Sequence, residues 1–172
     1  MRIFIDFDWT LFNTEMFKKE TGTERVSCID NPQICFNALS MAGDIGKFLF
    51  ADTTDFLKSH AHHTLILITF GHKEYQKAKI QRSGILHLFE STIFIDDKLK
   101  GDVVKCDTKH AGEKAIFLDD DIIQLTNMRE SCPHITSVRM RRKEVNFGSD
   151  ITQNDFPEVS NLNEFAKLLQ TF

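Results

Sequence analysis

Five short apolar runs punctuate the chain: Arg2–Phe7 (RIFIDF), Thr64–Thr69 (TLILIT), Ser91–Ile95 (STIFI), Ala115–Leu118 (AIFL) and Ile135–Met140 (ITSVRM). They are near-continuous rather than alternating, and rich in β-branched and aromatic residues. That pattern predicts strands buried on both faces. Between them the pattern turns helical. Residues 13–30 begin as a helix and lose periodicity near Thr21-Gly22-Thr23. Residues 31–50 hold Pro32 and a helical stretch broken by Gly43 and Gly46. Asp52–His60 opens with cap-type residues and predicts a helix. Lys73–Ser83, ended by Gly84, predicts another, as do Ile122–Glu130 and Asn161–Phe172. Residues 98–113 are polar and predict no element. Buried strands alternating with helices predict an α/β fold of three layers, a parallel sheet with helices on both faces.

Composition narrows the function classes. A chain of 172 residues has room for one domain and at most a small lid. With 25 acids against 21 bases and a net charge of -4, a strongly basic nucleic-acid binder is excluded. No apolar run approaches the roughly 18 residues of a membrane helix, so no membrane partner is expected. The opening MRIFIDFD carries acids within its first apolar stretch, so it does not read as a signal peptide, and a cytoplasmic location is expected. Cys28, Cys35, Cys106 and Cys132 lack CxxC spacing and predict neither a disulfide framework nor a zinc site. The chain has 16 Phe beside one Trp and one Tyr. Phe has no polar handle, so these predict core, Phe48, Phe50 and Phe56 among them. The basic run Arg139–Lys143 reads as a strand edge with solvated arginines.

Polar residues collect where the strands end. The first run delivers Asp6 and Asp8, the second Thr69, and the fourth Asp119 and Asp120. In open α/β sheets ligands bind beyond these C-terminal ends. Carboxylates converging there would repel one another unless a divalent cation intervened, and an all-oxygen donor set suits Mg²⁺. Residues i and i+2 of a strand share a face, so Asp6 and Asp8 are expected to face one substrate or to divide between substrate and metal. Two carboxylates in different environments can serve as nucleophile and as general acid/base. Thr69, with the backbone N–H groups of Phe70 and Gly71, is expected to cradle a phosphoryl oxygen. A lysine would balance the charge of nucleophile and phosphate.

These residues carry a resemblance. Phe4–Phe12 (FIDFDWTLF) resembles the first motif of the haloacid dehalogenase-like (HAD) superfamily, an apolar strand followed by D-x-D-x-T. Leu65–Thr69 resembles its second motif and Ile116–Asp120 its fourth, in the same order. The resemblance spans about residues 1–125, and the tail fits the family's final strand and helix. It implies a Rossmann-like HAD core with a small helical insert after the first strand. It implies a Mg²⁺-dependent phosphohydrolase working through an aspartyl-phosphate. Asp6 would be nucleophile and metal ligand. Asp8 would be general acid/base, with its carbonyl on the metal. Thr69 would bind the phosphoryl group, Asp120 would be a direct ligand, and Asp119 would act through water. The family's dehalogenases and phosphonatases lack the second Asp, which favours phosphate esters here. Lys100, followed by Gly101, is the favoured third-motif lysine, with Lys98 and Lys105 as alternatives. The family often has Gly where Trp9 stands, so the indole is expected to border the entrance or pack under a lid. Residues 13–48 are too few for a large cap and read as a reduced lid. A phosphorylated small molecule or macromolecule is the expected substrate, with nucleic acid disfavoured and oligomeric state open.

Two other functions compete: a phosphate-binding module without turnover, and a phosphoacceptor switch with its acceptor Asp on the third strand. The remaining candidates have plainer readings. Asp96 and Asp97 read as a turn, Asp121 as a helix cap, and Asp52 and Asp55 as cap and surface acids. His60, His62 and His63 read as a surface loop, and His72 follows Thr69 closely enough that it could touch substrate.

Overall fold

The strand β1 (Arg2–Ile5) lies in the middle of a parallel sheet in the computed structural model of the chain, which describes residues 1–97, 99–104, 113–145 and 156–172. On one side follow β2 (Thr64–Phe70) and β3 (Ser91–Ile95). On the other follow β4 (Ala115–Asp119), β5 (Ile135–Met140) and β6 (Glu158–Val159). The order is β3-β2-β1-β4-β5-β6, every pairing parallel. The strand order reverses between β1 and β4, which is where such sheets form a ligand crevice. Register fixes what meets there. Ile5 pairs with Leu67 and Leu118, and the Asp6 N–H continues the ladder to the Leu118 carbonyl at 2.9 Å.

Six α-helices lie between the described strands, α1 (Thr14–Thr21), α2 (Pro32–Met41), α3 (Thr53–Ser59), α4 (Lys73–Arg82), α5 (Lys100–Val104) and α6 (Ile122–Ser131), and α7 (Leu162–Leu169) follows β6. Alternation along β1 sends Ile3 and Ile5 into one core and Phe4 into the other. The first core packs under α3, α4 and α7, the second under α5 and α6. Phe48, Phe50 and Phe56 are buried, as expected. The rings of Phe7, Phe12, Phe17 and Phe48 form a chain with centroids 5.0–5.8 Å apart. This chain fastens α1 to the end of β1, so part of the Phe excess serves the residues beside Asp6.

Several expectations need correction. Cys28 and Cys35 are joined in a disulfide, their Cα atoms 5.6 Å apart, where the seven-residue spacing had suggested nothing. The chain turns at 28–30, the Asn31 N–H donating to the Ser27 carbonyl at 2.9 Å, and Pro32 then starts α2, which carries Cys35. The arginines at 139 and 142 are not solvated: they are 1% and 2% exposed. β5 is not an edge, because β6 covers it, and Arg139 lies 3.8 Å from Glu158. Asp52 stands at the N-cap of α3, as expected, but its side chain does not cap the helix. Its Oδ2 accepts from Arg142 Nη1 at 2.8 Å and from the Leu162 N–H at 2.7 Å. The polar stretch 98–113 contains α5, and β6 was not foreseen. Lys98, Lys105 and Cys106 lie outside the described residues. Among the described residues no helix is long and apolar enough to cross a membrane.

Candidate active site

Asp6 leaves the sheet at the end of β1 and Asp119 ends β4, so two adjacent parallel strands put two carboxylates side by side. Asp120 follows at the head of the turn into α6. Carboxylate oxygens of Asp6, Asp119 and Asp120 lie within 4.8 Å of one another. Among the described residues this is the one group of three or more such side chains close enough to share an ion. Asp121 caps α6, accepting from the Ile123 N–H at 2.8 Å, as the sequence suggested.

Lys100 supplies the positive charge. Its Nζ lies 2.5 Å from Asp6 Oδ1 and 2.6 Å from Asp119 Oδ2, and the residue is 2% exposed. It is aimed by α5, which tertiary contacts hold rather than length. The Lys100 N–H donates to Gln124 Oε1 at 3.0 Å, and Gly101 lies so close to α6 that a Cβ there would meet the Asn127 carbonyl oxygen at 2.6 Å.

One ammonium cannot balance three acids. Burial pushes the Asp6 carboxyl up to about 8; Lys100 opposes this, and the charges of Asp119 and Asp8 add to it. Burial likewise raises Asp120 well above the ordinary carboxylate value, helped by Asp119 and Asp6. Asp119 is raised by burial against the pull of Lys100. The Lys100 ammonium is held charged: burial would lower it, but Asp119 and Asp6 outweigh that. The cluster is therefore a deficit of positive charge walled by hard oxygen donors, a set that could hold a metal cation.

β2 carries Thr69 two residues beyond Leu67, the partner of Ile5. Thr69 is 1% exposed, and its Oγ1 has no hydrogen-bond partner among the described residues. An orphaned buried hydroxyl is costly unless a ligand completes it. It does not cap α4; His72 does, through Nδ1 and the Tyr75 N–H at 3.4 Å. Gly71 departs from expectation. Its N–H donates to the Ile95 carbonyl at 2.8 Å, so the sheet, not a phosphoryl oxygen, holds it. The Phe70 carbonyl accepts from Gln76 Nε2 at 3.0 Å.

Asp8 also behaves differently from a strand residue two positions past Asp6, because β1 ends at Ile5 and the chain has begun to turn. Its carboxylate is held by α4 and α1. Lys79 Nζ lies 2.6 and 2.8 Å from the two oxygens, Gln76 Nε2 donates to Oδ2 at 2.7 Å, and the Thr14 hydroxyl donates to Oδ1. Burial works to raise Asp8, but the Lys79 ammonium and these donors prevail and hold it below the ordinary value. Lys79, 2% exposed, also lies 5.2–5.4 Å above the rings of Phe7, Phe12 and Tyr75. Neither Gln76 nor Lys79 was foreseen. Their i, i+3 spacing on one helix was the available signal, but α4 is polar on most faces and marks no partner.

The turn after Asp8 is held from a distance. Arg142 Nε and Nη2 donate to the Thr10 carbonyl at 2.9 and 2.8 Å. Its guanidinium carbon sits 4.2 Å from the Phe50 ring centroid. Trp9 has φ +56°, the left-handed region that favours glycine, and its N–H donates to the Phe12 carbonyl at 2.8 Å. The acids open into a cavity of about 500 Å³ that Trp9, Phe70 and Arg139 also line. A second cavity of about 340 Å³ lies towards α1 and α4 and shares Asp8, Trp9 and Phe70 with the first. His72 lines the second. Asp96 and Asp97 are exposed in a bend, and His62 is exposed.

No family model matches the chain, and no curated protein does. Solved structures do. A haloacid dehalogenase-like hydrolase from Burkholderia xenovorans LB400 superposes with a TM-score of 0.74 at 13% identity, covering 99% of this chain and 96% of that one. An L-2-haloacid dehalogenase from Xanthobacter autotrophicus gives 0.69 at 11% identity, covering 99% and 98%. A HAD hydrolase from Bacillus subtilis bound to magnesium gives 0.65 at 11% identity, covering 98% and 97%. With the parallel sheet in this order and the acids at its reversal point, the chain has the fold of the haloacid dehalogenase-like hydrolases.

Proposed function

We propose that the chain is a Mg²⁺-dependent phosphomonoesterase with Asp6 as its nucleophile. The observation that carries this reading is Asp6 set among Asp119, Asp120 and Lys100 at the sheet's reversal point. Asp6, Asp119 and Asp120 would hold the cation, with the Asp8 carbonyl as a further donor. Bound there, Mg²⁺ supplies charge neutralisation for the phosphoryl oxygens.

The chain's own residues do the rest. An Asp6 carboxylate oxygen attacks phosphorus, and the ester oxygen leaves with its bonding pair and takes a proton from Asp8. Asp8 then accepts a proton from water as that water attacks the phosphorus of the aspartyl-phosphate, releasing phosphate and restoring Asp6. Thr69 donates to a phosphoryl oxygen, and Lys100 offsets the charge gathered around it. The acid at position 8 also favours phosphate esters over the carbon–halogen chemistry of some fold neighbours, because an alkoxide needs a proton that halide does not. Residues 13–48, with α1 and α2, act as a reduced lid over the second cavity.

The test is hydrolysis of an aryl phosphate with Mg²⁺. Turnover should vanish on chelation and in Asp6→Asn, and mass spectrometry of acid-quenched enzyme should find the acyl-phosphate on Asp6. A folded, Mg²⁺-loaded protein inert towards a broad panel of phosphate esters overturns the reading. One observation favours a second reading, a phosphate-binding module without turnover: Asp8 is clamped by Lys79 in its ionised form, which suits a base but not an acid. That reading requires Mg²⁺-dependent phosphate-analogue binding with no hydrolysis, and Asp6-dependent turnover excludes it.

A further inference from the structure

Trp9 occupies a backbone conformation that suits glycine, yet carries the largest of all side chains. The conformation is built in. The Trp9 N–H is bonded to Phe12, and the next carbonyl, that of Thr10, is gripped by buried Arg142. A bulky residue held in such a conformation points to what its side chain does. The indole is half-buried and lines both the cavity of the acids and the neighbouring cavity towards α1 and α4. Phe70 lines the same two cavities and is 37% exposed, an unusual exposure for this side chain at the end of a buried strand. Ile123, 64% exposed, adds a third apolar group to the rim.

Lys100 is engaged by Asp6 and Asp119, and Lys79 by Asp8. Asp120 and Asp121 make the opposite wall acidic. Arg139 lines the first cavity and Lys18 the second, so cations as well as acids face a leaving group there. Two aromatic side chains shared by both cavities suit a flat group.

Resting on the phosphomonoesterase reading, we propose that Trp9 and Phe70 select monoesters whose leaving group carries a planar aromatic ring, with Trp9 as the stacking platform. Two sources share that chemistry, a nucleoside and a phenol, and a substrate panel separates them. Kinetics with Mg²⁺ would compare adenosine 5′-monophosphate, phenyl phosphate, ribose 5-phosphate and phosphocholine. One of the two aromatic esters should exceed ribose 5-phosphate in kcat/KM by roughly tenfold or more. Whichever aromatic ester leads identifies the source. In Trp9→Gly, which relieves the backbone, that ratio should fall to about one. An unchanged ratio in Trp9→Gly, or a wild-type preference for ribose 5-phosphate or phosphocholine, overturns the proposal.

Trp9 is the only tryptophan in the chain, so binding can be read without turnover. In Mg²⁺-loaded Asp6→Asn, the aromatic monoester should quench its fluorescence to saturation at a concentration at least about tenfold below that needed for ribose 5-phosphate. Such quenching in a protein that hydrolyses nothing leaves the aromatic site standing and removes the phosphatase reading. Hydrolysis with no aromatic preference and no selective quenching does the reverse.

Discussion

Asp8 and Lys79 show how much one pair can decide. The carboxylate is 14% exposed and the ammonium 3%, so neither is well solvated, and each depends on the other. Removing one partner of a buried pair leaves an uncompensated charge, at a cost of about 3–5 kcal/mol. Lys79→Met should therefore lose stability of that order in urea unfolding, while Asp8→Asn with Lys79→Met should recover part of it. The pair also sets an acid limit. The folded-state carboxyl lies below its ordinary value, so the native state binds fewer protons than the unfolded chain. The stabilisation is complete above about pH 4 and is lost as the pH falls through the lower folded value. The stability gap between wild type and Asp8→Asn should be constant from pH 5 to 7 and close below pH 4. A gap that persists to pH 2 would show that the ion pair is not its source. The individual acids of this site were readable in the sequence because each terminates an apolar run. Their partners were not: Lys79, Gln76 and Arg142 look like ordinary surface residues until the fold buries them.

Among the elements, legibility followed length and burial. The five longer strands stood out because a parallel strand covered on both faces must be apolar throughout, and the observed limits of β3 and β5 coincide with those of the apolar runs. α5 left no such trace. Five residues cannot establish a helical period, and this helix exists because Gln124 and α6 hold it. Position 101 is the sensitive point. A methyl group there would meet backbone of α6, which cannot swing aside as a side chain would. Gly101→Ala should force α5 outward, costing about 1–3 kcal/mol in thermal unfolding. It should also lower kcat of any Asp6-dependent turnover, because Lys100 moves with its helix. Normal stability and kcat would mean that α5 adapts without displacing Lys100. The disulfide belongs here too. Spacing alone did not reveal Cys28–Cys35, because a pairing depends on the turn the chain makes between the two residues.

For the molecule as a whole, the dominant electrostatic fact is the unbalanced cluster at the sheet's reversal point. The Asp6 carboxyl is raised to about 8, so the folded state holds its proton longer than the unfolded chain does. Its contribution to stability is full below about pH 4 and is lost as the pH rises through about 8. The chelated protein should melt at progressively lower temperature from pH 5 to pH 9. Mg²⁺ should raise the melting temperature, and more at pH 9 than at pH 5, since protons and cation compete for the same oxygens. At a hundredfold excess over its Kd the ion should add about 2.7 kcal/mol. A Mg²⁺ effect that is equal at both pH values, or absent, would place the ion elsewhere. The net charge of -4 concealed all of this, because a sum over the chain does not register where charges gather.

Arg142 has one more consequence, for the order in which the molecule is made. It grips the carbonyl of Thr10 across 132 residues of sequence. β1 precedes β2 and β4 in the sequence, yet it lies between them and must wait for both. The turn that follows it waits longer still, until the arginine after β5 has been added and buried. A growing chain on the ribosome thus carries Asp6 and Asp8 long before the turn beside them gains its support, because Arg142 is translated 132 residues after Thr10.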